Sequence, residues 1–104
     1  MKIVAVSACA AGIAHTYMSA EALKKSAREA GDEIKIEIQG SMGTENRLTQ
    51  EEIDAAELVI FAVNITVERR DRFEGKTVVI LDPGEFIANG KKALQKAKDM
   101  ANKN

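Results

Sequence analysis

The chain has a single cysteine, a single proline and no tryptophan, and its aromatic residues are only Tyr17, Phe61, Phe73 and Phe86. Each shortage excludes something. With Cys9 alone there is no intrachain disulfide framework and no cysteine cluster for a metal, and a redox cycle would lack a resolving thiol. A free thiol suits a reducing compartment, so the expected location is cytoplasmic. So few aromatics do not build a base-stacking surface. An excess of one charge is missing as well: 15 Lys and Arg stand against 16 Asp and Glu, a formal net charge of −1. That balance supplies no global field for nucleic acid or an anionic membrane. Apolar runs are short, none near the roughly 20 residues of a membrane span. Met1-Lys2 leads straight into an apolar segment without the charged-then-apolar pattern of a signal peptide. Direct membrane insertion is not expected.

What is present fits one compact domain over residues 1–104. Ile3-Val4-Ala5-Val6 reads as a fully buried strand, and Leu58 to Val63 and Val78 to Leu81 are two more continuous apolar runs. Glu33 to Ile38 alternates, Ile34, Ile36 and Ile38 against Glu33, Lys35 and Glu37, which predicts a strand near a sheet edge with one wet face. Between the first two strands, Ala20, Leu23, Ala27 and Ala30 recur at helical spacing from about His15, with Gly31 as the stop. Gln39 to Gly43 reads as a flexible loop, Thr49-Gln50-Glu51-Glu52 as a capping box opening a short helix, and Lys91 to Met100 as a final amphipathic helix. Asp82-Pro83-Gly84 breaks the last strand. Strands alternating with helices predict an α/β fold: a doubly wound, mainly parallel sheet of about four strands with helices on both faces, of Rossmann or flavodoxin-like type. Ligands in such folds sit beyond the carboxyl ends of the strands, and the first strand ends immediately before Cys9.

The segment Ser7-Ala8-Cys9-Ala10-Ala11-Gly12-Ile13-Ala14-His15-Thr16 is therefore the candidate site. Its small side chains let backbone N–H groups converge at a helix N-terminus, where several donors lack intrahelical partners and the dipole favours an anion. Such a position also favours the thiolate form of a cysteine, the nucleophilic one. A thiolate ringed by amides can attack a phosphoryl group, and the same amides can hold the product. A lone cysteine elsewhere would read as a small buried hydrophobe; its place in this loop favours chemistry. His15, six residues on, either lies across the loop or is simply a first-turn helix residue. Thr16 either touches a bound phosphate or satisfies a backbone donor, and Gly12 is there for backbone shape. Arg69, Arg70 and Arg72, with Glu68 and Asp71, read as a solvated loop, the alternative being a docking patch for an acidic partner. Met18 and Met42 read as packing residues. Neither GxGxxG nor a Walker lysine is present, so the loop is not a nucleotide-binding one.

Cys9-Ala10-Ala11-Gly12-Ile13-Ala14-His15-Thr16 resembles the phosphorylation loop of fructose-type enzyme IIB, the cysteine-phosphorylated component of the bacterial phosphoenolpyruvate-dependent sugar phosphotransferase system. The resemblance continues through Ala20-Glu21-Ala22-Leu23, Glu37 to Gly43, Glu45-Asn46, Leu48-Thr49 and Arg72-Phe73-Glu74-Gly75-Lys76, spanning nearly the whole chain. It implies that Cys9 takes phosphate from a phosphohistidine of enzyme IIA and gives it to a sugar, fructose or fructose-like, held by the membrane enzyme IIC. It implies phosphate-binding amides on Ala10, Ala11, Gly12, Ile13 and Ala14, with His15 and Thr16 beside the phosphate. No metal or organic cofactor is implied. The family pattern has Pro then Thr or Ser where Ala10 and Ala11 stand, and often Asp in place of Asn64. A low-molecular-weight tyrosine phosphatase is the rival with a similar Cys-x5 loop, but it needs arginine where His15 stands, for a bidentate grip on phosphate. A second rival is a binding module of the same fold that no longer transfers.

Overall fold

The computed structural model describes residues 1–103. Five strands, β1 (Lys2–Ala8), β2 (Glu33–Gly40), β3 (Gly43–Glu45), β4 (Leu58–Val63) and β5 (Val78–Leu81), form one sheet in the order β3-β2-β1-β4-β5. β1 pairs in parallel with β2 and β4, β4 pairs in parallel with β5, and only β3 runs antiparallel, against β2. The helices are α1 (Ile13–Glu29), α2 (Gln50–Ala55), α3 (Pro83–Ala88) and α4 (Gly90–Asn102).

The continuous apolar runs are explained by burial on both faces. On one face Ile3 and Ala5 of β1 and Leu58 and Ile60 of β4 pack with Leu23 and Ala27 of α1, Phe86 of α3 and Leu94 of α4. On the other, Val4, Val6, Val59 and Phe61 pack with Ile53 of α2 and with Val67 and Phe73 of the segment after β4. The doubly wound, mainly parallel sheet is the expected one. Its helix signals hold as well: Thr49 and Glu52 exchange both bonds of the capping box, and Gly31 turns the chain out of α1 at φ 78°. At the break after β5, Asp82 accepts from the Gly84 N–H at 2.8 Å and caps α3, with Pro83 in its first turn.

Several expectations are corrected. The sheet has five strands rather than about four, because Gln39–Gly43 is not a loop: β2 runs through Gly40, turns over Ser41-Met42 and returns as β3. A three-residue strand without an apolar run leaves no periodic signal. Glu37 does not face water: it is 1 % exposed, and Gln39 is buried beside it. Arg72 is not a solvated loop residue, since its guanidinium forms a two-pronged ion pair with the Glu37 carboxylate at 2.8 and 2.9 Å. The alternation along β2 could not show that the segment 64–73 covers its second face. β5 is an edge strand rather than a fully buried one, with Ile80 exposed. Met18 and Met42, expected to pack, are both exposed.

β1 lies between β2, which follows it in sequence, and β4, so the connections from β1 and β4 diverge at their carboxyl ends. This switch in strand order opens the crevice where ligands bind in such sheets.

Candidate functional site

Cys9 leaves the end of β1 and begins a tight turn in which its carbonyl accepts from the Gly12 N–H at 3.3 Å. Ala10 and Ala11 form the corner. Gly12 closes it at φ 115°, ψ 177°, a region open essentially only to glycine, and is the N-cap of α1. It offers no side chain to cap the helix, whereas Thr49, Asp82 and Asn89 cap α2, α3 and α4 with side-chain oxygens. The opening amides of α1, on Ile13, Ala14 and His15, therefore keep their N–H groups available, and no acidic residue occupies the first turn.

Three groups converge on the Cys9 sulfur. The Ala11 N–H donates to Sγ at 3.3 Å, the Asn64 Nδ2 amide donates at 3.4 Å, and His15 Nδ1 lies at 3.0 Å, as donor or acceptor according to the tautomer. Helical spacing explains His15, on the first turn of α1. Parallel pairing explains Asn64: Ala8 sits opposite Val63, so the residues that follow each strand emerge side by side. Asn64 also accepts from the Ala10 N–H through Oδ1 at 2.9 Å, which fixes the orientation of its amide. Asn64 and His15 are thus brought to the thiol. Thr16 is buried, its hydroxyl donating to the Gly12 carbonyl at 3.1 Å while its own carbonyl accepts from Ser7 Oγ at 2.9 Å. Ala10, Ala11, Ile13 and Ala14 are exposed around the turn.

Cys9, a residue only 8 % exposed, opens onto a cleft of about 460 Å³ between the turn, the end of β2 and the residues after β4. The far wall is held by a polar network. Gln39 donates to Glu37 and to the Glu68 carbonyl, and accepts from the Glu68 N–H. Burial alone would raise the Glu37 carboxyl, but the Arg72 guanidinium, with bonds from Gln39 and the Leu48 N–H, outweighs it and holds the carboxyl below its ordinary value. Arg72 is consequently committed to the wall, and Arg70 lies over the Phe61 ring. No cluster of potential metal ligands occurs among the described residues.

The family model described as "PTS system, Lactose/Cellobiose specific IIB subunit" matches residues 4–96. "PTS system fructose-like EIIB component 2" of Escherichia coli strain K12 is 43% identical over 95 residues, 91% of this chain and 90% of that protein. The chain belongs to the enzyme IIB family of the phosphotransferase system. The relatives put this enzyme IIB in the fructose-like branch. "Fructose-like PTS system EIIBC component" of Escherichia coli strain K12 is 55% identical over 91 residues, 86% of this chain but 19% of that longer protein. The solution structure of an enzyme IIB subunit from Escherichia coli K12 superposes with a TM-score of 0.87 at 39% identity, covering 98% of this chain and 94% of that one.

The residues around the thiol were unevenly legible. Ser7 and Asn64 carry no motif. The usable signal for Asn64 is positional: it follows the second fully buried apolar run as Cys9 nearly follows the first.

Proposed function

We propose that this enzyme IIB carries phosphate on Cys9, taking it from a phosphohistidine of an enzyme IIA and giving it to a fructose-like sugar held by a membrane enzyme IIC. The supporting observation is the convergence of Ala11 N–H, Asn64 Nδ2 and His15 Nδ1 on one sulfur at an uncapped helix N-terminus. In the first transfer the S–P bond forms as the N–P bond of the donor breaks, and the thiol proton ends on the donor imidazole. In the second, the sugar hydroxyl oxygen takes the phosphorus, the S–P bond breaks, and the hydroxyl proton returns to Cys9. His15 Nδ1, 3.0 Å from Sγ, is at the right distance to relay the proton that leaves Cys9 in the first step and the one that arrives in the second. The phosphoryl oxygens face the uncapped opening amides of α1, on Ile13, Ala14 and His15, with the Ala11 N–H beside the sulfur, and the dipole of α1 favours their charge. The Ala10 and Gly12 N–H groups are held by Asn64 Oδ1 and the Cys9 carbonyl, and Thr16 keeps the turn closed from beneath. Partners that hold the histidine and the sugar reach Sγ through the cleft. No helix among the described residues is long and apolar enough to cross a membrane. Sugar passage across a bilayer thus falls to the enzyme IIC, to which this chain binds from the cytoplasmic side. The chain works as one domain over residues 1–104.

Peptide mass spectrometry after incubation with a phosphorylated enzyme IIA tests the reading, with Cys9→Ala as control. One phosphoryl group on the Cys9 peptide, absent from the variant, is expected. A donor that binds and phosphorylates another IIB but leaves Cys9 bare would instead support the non-transferring binding module.

A further inference from the structure

We infer that Asn64 is a catalytic residue of the transfer, its Nδ2 amide holding negative charge on the Cys9 sulfur as the S–P bond forms or breaks. The inference rests on the phosphocysteine reading, but its test does not.

Of the three groups at Sγ, His15 Nδ1 can serve as donor or acceptor, so two are obligate donors: the Ala11 N–H and Asn64 Nδ2. The first is backbone and common to any side chain at that position. The second depends on the residue chosen at 64. Its direction is imposed, because Oδ1 is taken by the Ala10 N–H at 2.9 Å and Nδ2 is left facing the sulfur at 3.4 Å. Asn64 is exposed and lies outside both apolar clusters, so the fold does not require its side chain. When the thiol proton departs and sulfur attacks phosphorus, or when the sugar oxygen displaces sulfur, the electron pair on Sγ needs a donor already in place. An amide aimed beforehand at the atom where charge develops is the arrangement that lowers such a barrier.

Two roles are separable by substitution. If Asn64 acts only as a latch on the turn, through Oδ1 and the Ala10 N–H, then Asn64→Asp keeps the latch and Asn64→Ala loses it. If Nδ2 matters as a donor to sulfur, Asn64→Asp is the worse change in this chain, although the family pattern often has Asp there. The Ala10 N–H, which the Pro of that pattern lacks, holds one carboxylate oxygen and so aims the other at the sulfur, where it repels the anion. The other ionisable groups near the thiol are His15 on α1 and Glu68 on the far wall of the cleft, and both are the same in every variant.

The experiment follows Cys9 alkylation by iodoacetamide as a function of pH in the parent, Asn64→Ala and Asn64→Asp, with urea unfolding to verify equal folding. Only the thiolate reacts. The expected order of reactivity near neutral pH is parent, then Ala, then Asp, with Asp about tenfold below the parent and its profile displaced to higher pH. Any order in which Asp is not below Ala overturns the inference, including three superimposable profiles. Phosphoryl transfer from a phosphorylated enzyme IIA should fall in the same order. A parent that never becomes phosphorylated sinks the carrier reading, while the alkylation order still judges Asn64.

Discussion

Replacing Arg72 by methionine keeps most of the apolar stem and removes the charge. The parent guanidinium makes two bonds to Glu37, at 2.8 and 2.9 Å, between side chains that are 8% and 1% exposed. It also donates to the carbonyls of Arg69, Leu48 and Glu68, and lies over the Phe73 ring. After the change the Glu37 carboxylate keeps bonds from Gln39 and Leu48 N–H but no counter-charge. Breaking a buried pair from one side costs about 3–5 kcal/mol, against about 1 kcal/mol or less for an exposed pair. In a chain of this size the loss lowers Tm by at least about 12 °C. Glu37→Leu combined with Arg72→Met should recover most of it, because an apolar pair leaves no buried charge. The pH dependence adds a second arm. In the parent the Glu37 carboxyl lies below its ordinary value of 4.5, so its contribution is present above that value and fades as pH falls through the lowered one. Without Arg72, burial dominates and raises the carboxyl, so protonation relieves the variant, and the gap between parent and variant narrows from about pH 7 to about pH 5. Urea unfolding followed by circular dichroism measures both arms. A single-variant loss below about 1 kcal/mol, or a gap that widens on acidification, would refute the reasoning.

Gly90→Ala should destabilise by about 1–3 kcal/mol in the same assay, because the new methyl would lie 2.9 Å from the Ala22 backbone carbonyl oxygen and would also collide with Ser26 Oγ. A gain in stability would show that α1 and α4 separate freely. His15→Ala should slow phosphoryl transfer by about a hundredfold with an unchanged far-ultraviolet spectrum, and an unaltered rate would remove His15 from the proton path.

How much of this was legible follows from what each residue needed. The strand runs at Ile3, Leu58 and Val78, the capping box at Thr49 and the helix stop at Gly31 are local signals, and local patterns specify them. The Cys9 turn was legible because a buried strand ends where small residues and a lone thiol begin. Glu37 and Arg72 were not, because their pairing depends on a segment more than thirty positions away folding over β2, which a period of two cannot encode. β3 is too short to carry a pattern. Ile80 looked buried because an apolar run reads alike at the centre and at the edge of a sheet. Asn64 was noticed only as a departure from the family pattern. Its bonds to Sγ and to the Ala10 N–H belong to the pairing of β1 with β4.

That pairing has a consequence for the nascent chain. Cys9 and Asn64 stand 55 residues apart, so the thiol loop is synthesised well before the side chain that meets its sulfur. At ordinary translation rates the interval is roughly 3–11 s. Contacts of such separation form late, once the ends of a long loop have been brought together. Until β4 docks beside β1, the chain has a cysteine but lacks the amide that comes from beyond β4. Under the proposed carrier role a fully assembled sheet is therefore a precondition of the chemistry, and an unfinished or half-opened chain would be poorly fitted to take phosphate on Cys9.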